Sequence, residues 1–232
     1  MLKRAMDSLM NQNRDGWERY SDFEIILIAE PFNQDELKEL VESYKDNRIQ
    51  LRFNNERLGI AASLNRGLKI AKGKYIARMD DDDVCHSARM FLQAKYLDEH
   101  PEVTLCTTDF EYFGDMNEWR YSFEGGMSFA WSLFTCPFDH PTVMFRKEFF
   151  VSNDLFYDEK RGFVEDWELW RRAFGHGMTV GCIHRVLFYH RWINNSSAGQ
   201  SNKTIDMMRD MIQKNFSELG VSIPNEYLWM IG

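Results

Sequence analysis

Hydrophobic residues follow two different periods along the first half of the chain. Apolar positions three and four residues apart predict helices at residues 2–12, 34–44, 60–72 and 87–99. Short apolar or alternating runs predict strands at residues 23–28, 49–53, 74–79 and 103–107. Because helices and strands alternate at this spacing, the pattern predicts an α/β fold with a mostly parallel central sheet and helices on both faces.

The second half has a different pattern. Residues 109–146 are rich in aromatic side chains and show no clear period. Beyond them, the pattern predicts a helix at 165–174, strands at 178–182 and 186–189, and a last helix at 203–219. No repeat or low-complexity linker separates the halves, so we expect a single domain over 1–232, in which the second half is a lid or platform on the sheet.

Composition excludes several classes of protein. Apolar residues make up 44% of the chain and charged residues 28%, as in soluble globular proteins. A net charge of −8 gives no electrostatic footprint for nucleic acid. No apolar run is long enough for a transmembrane segment, and no signal segment opens the chain, so we expect a cytoplasmic protein.

The four cysteines lie at wide, irregular spacings. They form no CxxC pair, which argues against a zinc site. We therefore expect reduced thiols in a cytosolic protein.

Four consecutive carboxylates, Asp80 to Asp83, directly follow the predicted strand KYIARM. A run of charges is usually a solvated face. At the carboxyl end of a buried parallel strand, however, it occupies the edge where ligands of α/β proteins bind. Carboxylate oxygens suit Mg²⁺ or Mn²⁺ shared with substrate phosphates, so a metal site is the functional interpretation.

Glu165 and Asp166 form a second acidic pair, at the predicted start of a helix. Acids in a first helical turn are often explained by the helix dipole alone. The functional alternative is a general base that takes a proton from an attacking hydroxyl. Trp167 and Trp170 beside the pair are either core residues or platforms for sugar rings.

Several segments together resemble family 2 glycosyltransferases of the GT-A fold, a Rossmann-like architecture. They are RLGIAASLNRGL at 57–68, AKGKYIARMDDDD at 71–83, HPTVMFRK at 140–147, Tyr157-Asp158, and EDWELW at 165–170. Each is degenerate, but they occur in the family's order, and the resemblance covers roughly residues 2–197. It implies a nucleotide-sugar-binding half at 1–108, an acceptor-binding half at 109–200, and a C-terminal helix and tail at 201–232.

The resemblance also implies roles for single residues. Asp166 is the expected catalytic base, with Glu165 beside it. The expected ligands of Mn²⁺ or Mg²⁺ are Asp80, Asp82 and Asp83. The expected contacts to the nucleotide-sugar donor are Glu30, Arg57, Asp80 and Asp81. For Arg57, a solvated position is an equal alternative.

The sequence departs from the family pattern at three places. It starts at what would be the helix after the first strand, so it is expected to be truncated at the N-terminus relative to the family. The usual acidic pair after the second strand reads Ala29-Glu30, which leaves Glu30 alone. Ile193 replaces an expected histidine, although His190 lies nearby.

The predicted function is an inverting, metal-dependent transfer of a sugar to a glycan or lipid-linked acceptor, as in surface polysaccharide biosynthesis. The expected donor is a nucleotide sugar, linked to UDP. A lipid-linked acceptor would bring the protein to the inner face of the membrane. Two alternatives stay open: a catalytically degenerate GT-A domain with a binding or regulatory role, and a nucleotidyltransferase. The nucleotidyltransferase is disfavoured because no phosphate-binding loop rich in glycine and basic residues is found near the start.

Overall fold

The computed structural model describes residues 1–194, 202–224 and Leu228. Its helices are α1 (Leu2–Met10), α2 (Gln34–Ser43), α3 (Ile60–Ile70), α4 (Arg89–Glu99), α5 (Gly125–Ser132), α6 (Lys147–Ser152), α7 (Glu165–Gly175) and α8 (Asn202–Glu218). Its strands are β1 (Ile25–Ala29), β2 (Ile49–Phe53), β3 (Tyr75–Ala77), β4 (Val84–Cys85), β5 (Leu105–Gly114), β6 (Trp119–Arg120), β7 (Met144–Arg146) and β8 (Val180–Trp192). Short 3-10 turns cover His140–Thr142 and Gly162–Val164.

Strands β1 and β2 form a parallel pair, in register from Ile25 opposite Ile49 to Ala29 opposite Phe53. Helix α3 packs on β1. The Glu24 carboxylate, just before β1, accepts the Lys72 backbone N–H at 2.6 Å and so ties this layer to the turn after α3. The predicted alternation of helix and strand in this half is confirmed.

The remaining strands form one sheet in the order β3-β7-β5-β8-β4, with β6 paired to β5. Strands β5 and β8 are parallel, and β7 lies between β3 and β5, antiparallel to both. β3, β5 and β8 therefore run in one direction, as expected, whereas β7, β6 and the edge strand β4 oppose them. The opposing strands were missed because runs of two or three residues are too short to show a period.

β5 and β8 are longer than the sequence pattern predicts. β8 is one strand over Val180–Trp192, where the sequence pattern predicted two. Its pairing with β5 continues through the whole length, but the register shifts on both sides of Asp109. Thr108 is opposite Ile183 and Asp109 is opposite Val186, so His184 and Arg185 bulge out of the ladder. Such a bulge interrupts the alternation that identifies a strand in sequence.

The main core lies between the sheet and α7. Trp167 and Trp170 are 1% and 0% exposed, so the interpretation as sugar platforms is wrong and the core alternative holds. Trp170 holds α7 against the sheet through contacts with residues such as Phe145 of β7, whereas Trp167 packs with Met211 and Ile212 of α8. No helix within the described ranges is both long and apolar enough to cross a bilayer.

Candidate active site

The acidic run begins where β3 ends, and two arginines contact it. Asp80 forms an ion pair with the Arg78 guanidinium, which lies at the end of the same strand and is 7% exposed. Asp82 lies 3.7 Å from a guanidinium nitrogen of Arg191, at the end of β8. The side chains of Asp80 and Asp82 remain about one third exposed, at 35% and 34%, so both can reach a ligand.

Asp83 differs from its neighbours because it is fully buried. Its Oδ1 accepts the Arg191 backbone N–H at 2.8 Å, which links the run to β8. Its Oδ2 has no hydrogen-bond partner within residues 1–194, 202–224 and Leu228. Burial outweighs the nearby cations His190 and Arg78 and raises the pKa of Asp83 to about 7. Asp83 therefore lies deeper in the protein than Asp80 and Asp82.

His190 joins the same cluster from β8. Its Nδ1 lies 2.7 Å from Oδ2 of Asp139, which precedes the 3-10 turn at His140. Burial disfavours the charged ring, but the hydrogen bond and charge of Asp139 outweigh it and raise the pKa of His190 to about 9. His190 is thus a cation at neutral pH, facing the acidic run.

Glu165 and Asp166 open helix α7, where the dipole favours negative charge. Glu165 is 6% exposed, and burial together with the Asp166 charge raises its pKa to about 7. The Asp166 side chain is 19% exposed, and burial raises its pKa too. The Asp166 Oδ1 accepts the Trp167 backbone N–H at 2.7 Å, and its Oδ2 accepts the Cys136 thiol at 3.4 Å. Asp166 is the more accessible acid of the two.

Behind Asp166, a chain of polar contacts through His140 and Tyr157 reaches helix α3. His140 Nδ1 lies 3.9 Å from Asp166 Oδ2, and its Nε2 lies 2.8 Å from the Tyr157 hydroxyl. Burial and the Arg78 charge hold the pKa of His140 well below its usual range, so the ring is neutral. Asn65 of α3 pairs with the Tyr157 backbone, accepting N–H at 2.8 Å and donating to C=O at 2.9 Å. The alternative that His140 is a buried, hydrogen-bonded group agrees with this geometry.

Arg78 connects the two acidic clusters. Its charge stabilises the ionised forms of Asp83, Glu165 and Asp166 as well as that of Asp80. The Nε and Nη1 atoms of this buried side chain have no hydrogen-bond partner among the described residues. The structure therefore brings together two acidic groups that lie more than 80 residues apart in sequence, with one shared cation between them.

A divalent cation of the Mg²⁺ or Mn²⁺ class fits the acidic run. The available ligands are hard carboxylate oxygens, and Asp83 Oδ2 is a buried oxygen that has no partner in the described part of the chain. Within the described ranges, no three of the four aspartates bring oxygens within 4.8 Å of one another. A metal here would thus have one or two protein ligands and take the rest from substrate and water.

Glu30 and Arg57 lie at the loop before α3. The Glu30 carboxylate accepts the backbone N–H groups of Leu58 and Gly59, at 3.2 and 3.0 Å, so it organises this loop. Arg57 is exposed, in line with the solvated alternative. A shallow pocket beside the loop is lined by Asn55, Glu56, Leu58 and Arg66.

Sequence reasoning missed Arg78 and Asp139 as members of the site. Arg78 had a readable signal, since an arginine at the end of a buried strand directly before four acids needs a partner. Asp139 had none, because its partner lies 51 residues away in sequence. Arg191 had only the degenerate Arg-x-His pattern in which Ile193 replaces the histidine, and its contact to Asp83 spans 108 residues.

The sequence model of a family described as glycosyl transferase family 2 matches residues 1–157. An uncharacterized glycosyltransferase of Methanocaldococcus jannaschii is 28% identical over 84% of this chain and 67% of its own length. The amylovoran biosynthesis glycosyltransferase AmsE of Erwinia amylovora is 31% identical over 56% of this chain and 49% of its own length. The chain therefore spans between about half and two thirds of these two relatives.

Solved structures agree in fold. TarS of S. aureus, in a complex with UDP-GlcNAc, superposes with a TM-score of 0.73 over 99% of this chain and 66% of TarS, at 16% identity. The mannosyltransferase PcManGT of Pyrobaculum calidifontis, in complex with GDP-Man and Mn²⁺, gives 0.60 over 99% of this chain and 64% of its own, at 14% identity. The predicted GT-A α/β fold is confirmed.

Proposed function

Since this chain belongs to glycosyl transferase family 2, we propose that it transfers a sugar from a nucleotide-sugar donor to a hydroxyl group of a glycan or lipid-linked acceptor. The observation that carries the proposal is the meeting of the acidic run and the Glu165–Asp166 pair around Arg78. TarS was solved with UDP-GlcNAc and with UDP, which supports a UDP-linked donor. The name of AmsE supports a role in polysaccharide biosynthesis.

The donor side of the proposed site is the edge at β3 and the loop before α3. Asp80 and Asp81 would contact the nucleotide sugar, and Glu30 would hold the loop that carries Arg57. Bound Mn²⁺ or Mg²⁺, held by Asp80 and Asp82 above the buried Asp83, would neutralise negative charge on the diphosphate. The Mn²⁺ in the PcManGT complex supports this class of ion.

The acceptor side of the proposed site is the start of α7. Asp166 takes the proton of the acceptor hydroxyl, and the oxygen forms its bond to the anomeric carbon. The bond from that carbon to the diphosphate oxygen breaks on the opposite face, and the nucleoside diphosphate leaves with the electron pair. Attack from the opposite face inverts the anomeric configuration. Arg78 interacts with both Asp80 and Asp166. Its positive charge would stabilise the negative charge that moves from the acceptor oxygen to the departing diphosphate.

Exposed aromatic side chains support the proposal that the second half, at 109–200, binds the acceptor. Trp119 and Tyr121 are 47% and 63% exposed, with ring centroids 3.8 Å apart. Phe123 and Trp131 stack with centroids 5.4 Å apart. Such rings suit the apolar faces of sugars or a lipid chain. A lipid-linked acceptor would bring the protein to the inner face of the membrane.

The proposal is tested by incubating the protein with UDP-sugars and Mn²⁺ and measuring the UDP that is released. We expect Asp166→Asn to lower kcat by about 10²–10⁴-fold, because general-base catalysis contributes that much. Asp35→Asn is the matched control, since Asp35 also lies in a first helical turn but on α2. Full turnover by Asp166→Asn would contradict the assigned base. Binding of UDP by calorimetry without any turnover would favour the catalytically degenerate alternative.

A further inference from the structure

A second cluster of metal-ligating side chains lies between β5 and β8, outside the proposed active site. It contains Asp109 of β5 and Cys182 and His184 of β8, and it is the one such group of three in the described part of the chain. Asp109 and Cys182 are 1% and 6% exposed, whereas the His184 side chain is 54% exposed. His184 precedes His190 by six residues on β8, about 15–20 Å along an extended strand.

The distances within the cluster match a tetrahedral zinc site. His184 Nδ1 lies 3.4 Å from Asp109 Oδ1 and 3.7 Å from Cys182 Sγ, and Cys182 Sγ lies 3.9 Å from Asp109 Oδ1. Zn²⁺ with ordinary bond lengths to oxygen, nitrogen and sulfur separates such ligands by about 3.3–3.6 Å. The three atoms thus already converge to within a few tenths of an ångström.

The charge balance of the cluster calls for a cation. Asp109 is a buried carboxylate whose ion-pair partner, among the residues described, is His184 rather than a lysine or arginine. Its Oδ1 accepts the Ser122 backbone N–H at 3.1 Å. A buried carboxylate without a permanent cation is costly, and a metal ion would supply the missing charge.

Local backbone structure supports a built site. The bulge that interrupts the β5–β8 ladder places His184 outside the regular pairing, two residues after Cys182. Glu124, the residue before α5, lies beside both β8 ligands. Its Oε2 accepts the Cys182 backbone N–H at 3.1 Å, and its Oε1 lies 3.9 Å from His184 Nε2, an ion-pair distance and not a hydrogen bond. With the carboxylate on the Nε2 side, the other ring nitrogen, Nδ1, is directed at Asp109 and Cys182, where it can bind metal.

We propose that Asp109, Cys182 and His184 bind one zinc ion, with Glu124 as the supporting carboxylate and the fourth position open to solvent. A thiolate, an imidazole and a carboxylate are ligands that Zn²⁺ takes together, whereas Mg²⁺ and Mn²⁺ prefer oxygen alone. The zinc would cross-link β5, β8 and the start of α5, and so anchor the segment that carries the exposed aromatic rings. This site does not depend on the proposed transfer reaction.

Metal analysis after dialysis against Zn²⁺ tests the site. We expect one equivalent of zinc to bind in addition to any ion at the acidic run, and Co²⁺ in its place to give a thiolate-to-cobalt charge-transfer band. The acidic run has no sulfur ligand, so the band reports this cluster alone. Cys182→Ser is expected to abolish the band, and His184→Ala to weaken zinc binding by at least about tenfold.

Two variants control for misfolding and for the supporting shell. Cys85→Ser, at another buried thiol that contacts Ser8 and Gln12, should keep the band. His184 is half exposed, so His184→Ala should fold normally by circular dichroism. Absence of the band in the wild-type protein, or its persistence in Cys182→Ser, overturns the proposal. A His184 that titrates identically with and without Zn²⁺ identifies a simple ion pair with Asp109 and also overturns it.

Discussion

His190 Nδ1 lies 2.7 Å from Asp139 Oδ2, and this pair joins the end of β8 to the turn before β7. The contact places a histidine cation against the acidic run, because the pKa of His190 is raised to about 9. Asp139 therefore sets the charge of a group that faces Asp83 and Asp80.

Asp139→Asn is expected to lower the pKa of His190 from about 9 to below about 7, because burial then acts without its main counter-charge. An NMR titration of the imidazole measures the change. Glu111→Gln is the control, since exposed Glu111 lies opposite Tyr189 in register, and successive residues of a strand point to opposite faces of the sheet. An unchanged titration in Asp139→Asn would show that the pair does not control the charge.

The same pair predicts a pH dependence of stability. A folded pKa of about 9, above the ordinary value of 6.5, means that the stabilisation is fully present below about pH 6.5 and is lost as the pH rises through 9. The contribution is up to about 3 kcal/mol. Urea unfolding from pH 6 to 10 should therefore show a fall in stability that is absent in His190→Gln. Parallel curves for the two proteins would contradict this assignment.

The raised pKa of Glu165 leads us to expect that the free energy of unfolding also changes between about pH 4.5 and 7. Its pKa is raised from 4.5 to about 7, so its contribution to stability is fully present below about pH 4.5 and is lost as the pH rises through 7. Glu165→Gln has no charge to bury, so its stability should gain about 1–3 kcal/mol on the wild type between pH 4.5 and 8. Unfolding free energies at several pH values give this difference. A difference that does not vary with pH would argue for a packing effect only.

We expect the hydrogen bonds between Asn65 and the Tyr157 backbone to help position Asp166, the proposed base, although Asn65 does not contact it directly. Asn65→Ala removes two buried hydrogen bonds to the Tyr157 backbone and should destabilise the fold by about 2–3 kcal/mol. Because Tyr157 contacts His140 next to Asp166, kcat should fall as well. Asn65→Asp replaces the donor by a carboxylate oxygen that faces the Tyr157 carbonyl and the Glu159 carboxylate, so it should destabilise the fold at least as much as Asn65→Ala. Equal stability of Asn65→Ala and wild type would contradict the structural role.

The proposed role of Asp82 as a metal ligand implies that activity depends on Mn²⁺. If Asp80 and Asp82 hold the ion, Asp82→Asn should raise the Mn²⁺ concentration needed for half-maximal activity by at least about tenfold. Chelation by EDTA should abolish the activity of the wild type, and added Mn²⁺ should restore it. Asp35→Asn should follow the wild-type curve. Full activity in EDTA would rule out the proposed metal.

Much of the fold was predictable because the first half keeps strict local periods. The helices and strands before β5, apart from the two-residue β4, begin and end within a few residues of the predicted positions, and the two acidic groups were predicted at a strand end and a helix start. Strand β7 was not predictable, because three residues carry too little pattern. Trp167 and Trp170 needed the structure, since a helix with aromatics on one face does not reveal what covers them.

The sequence by itself determined the α/β class, the family resemblance and the residues most able to carry the chemistry, because these depend on local period and on ordered motifs. Only the tertiary structure decided which charged groups meet. Arg78 lies between two acidic clusters, His190 pairs with Asp139 across 51 residues, and Asp109 meets Cys182 across 73. The cysteine spacing argued against a zinc site because a CxxC search detects only ligands that are close in sequence. A parallel pair of strands with a bulge brings distant residues to one point, and no local pattern encodes that meeting.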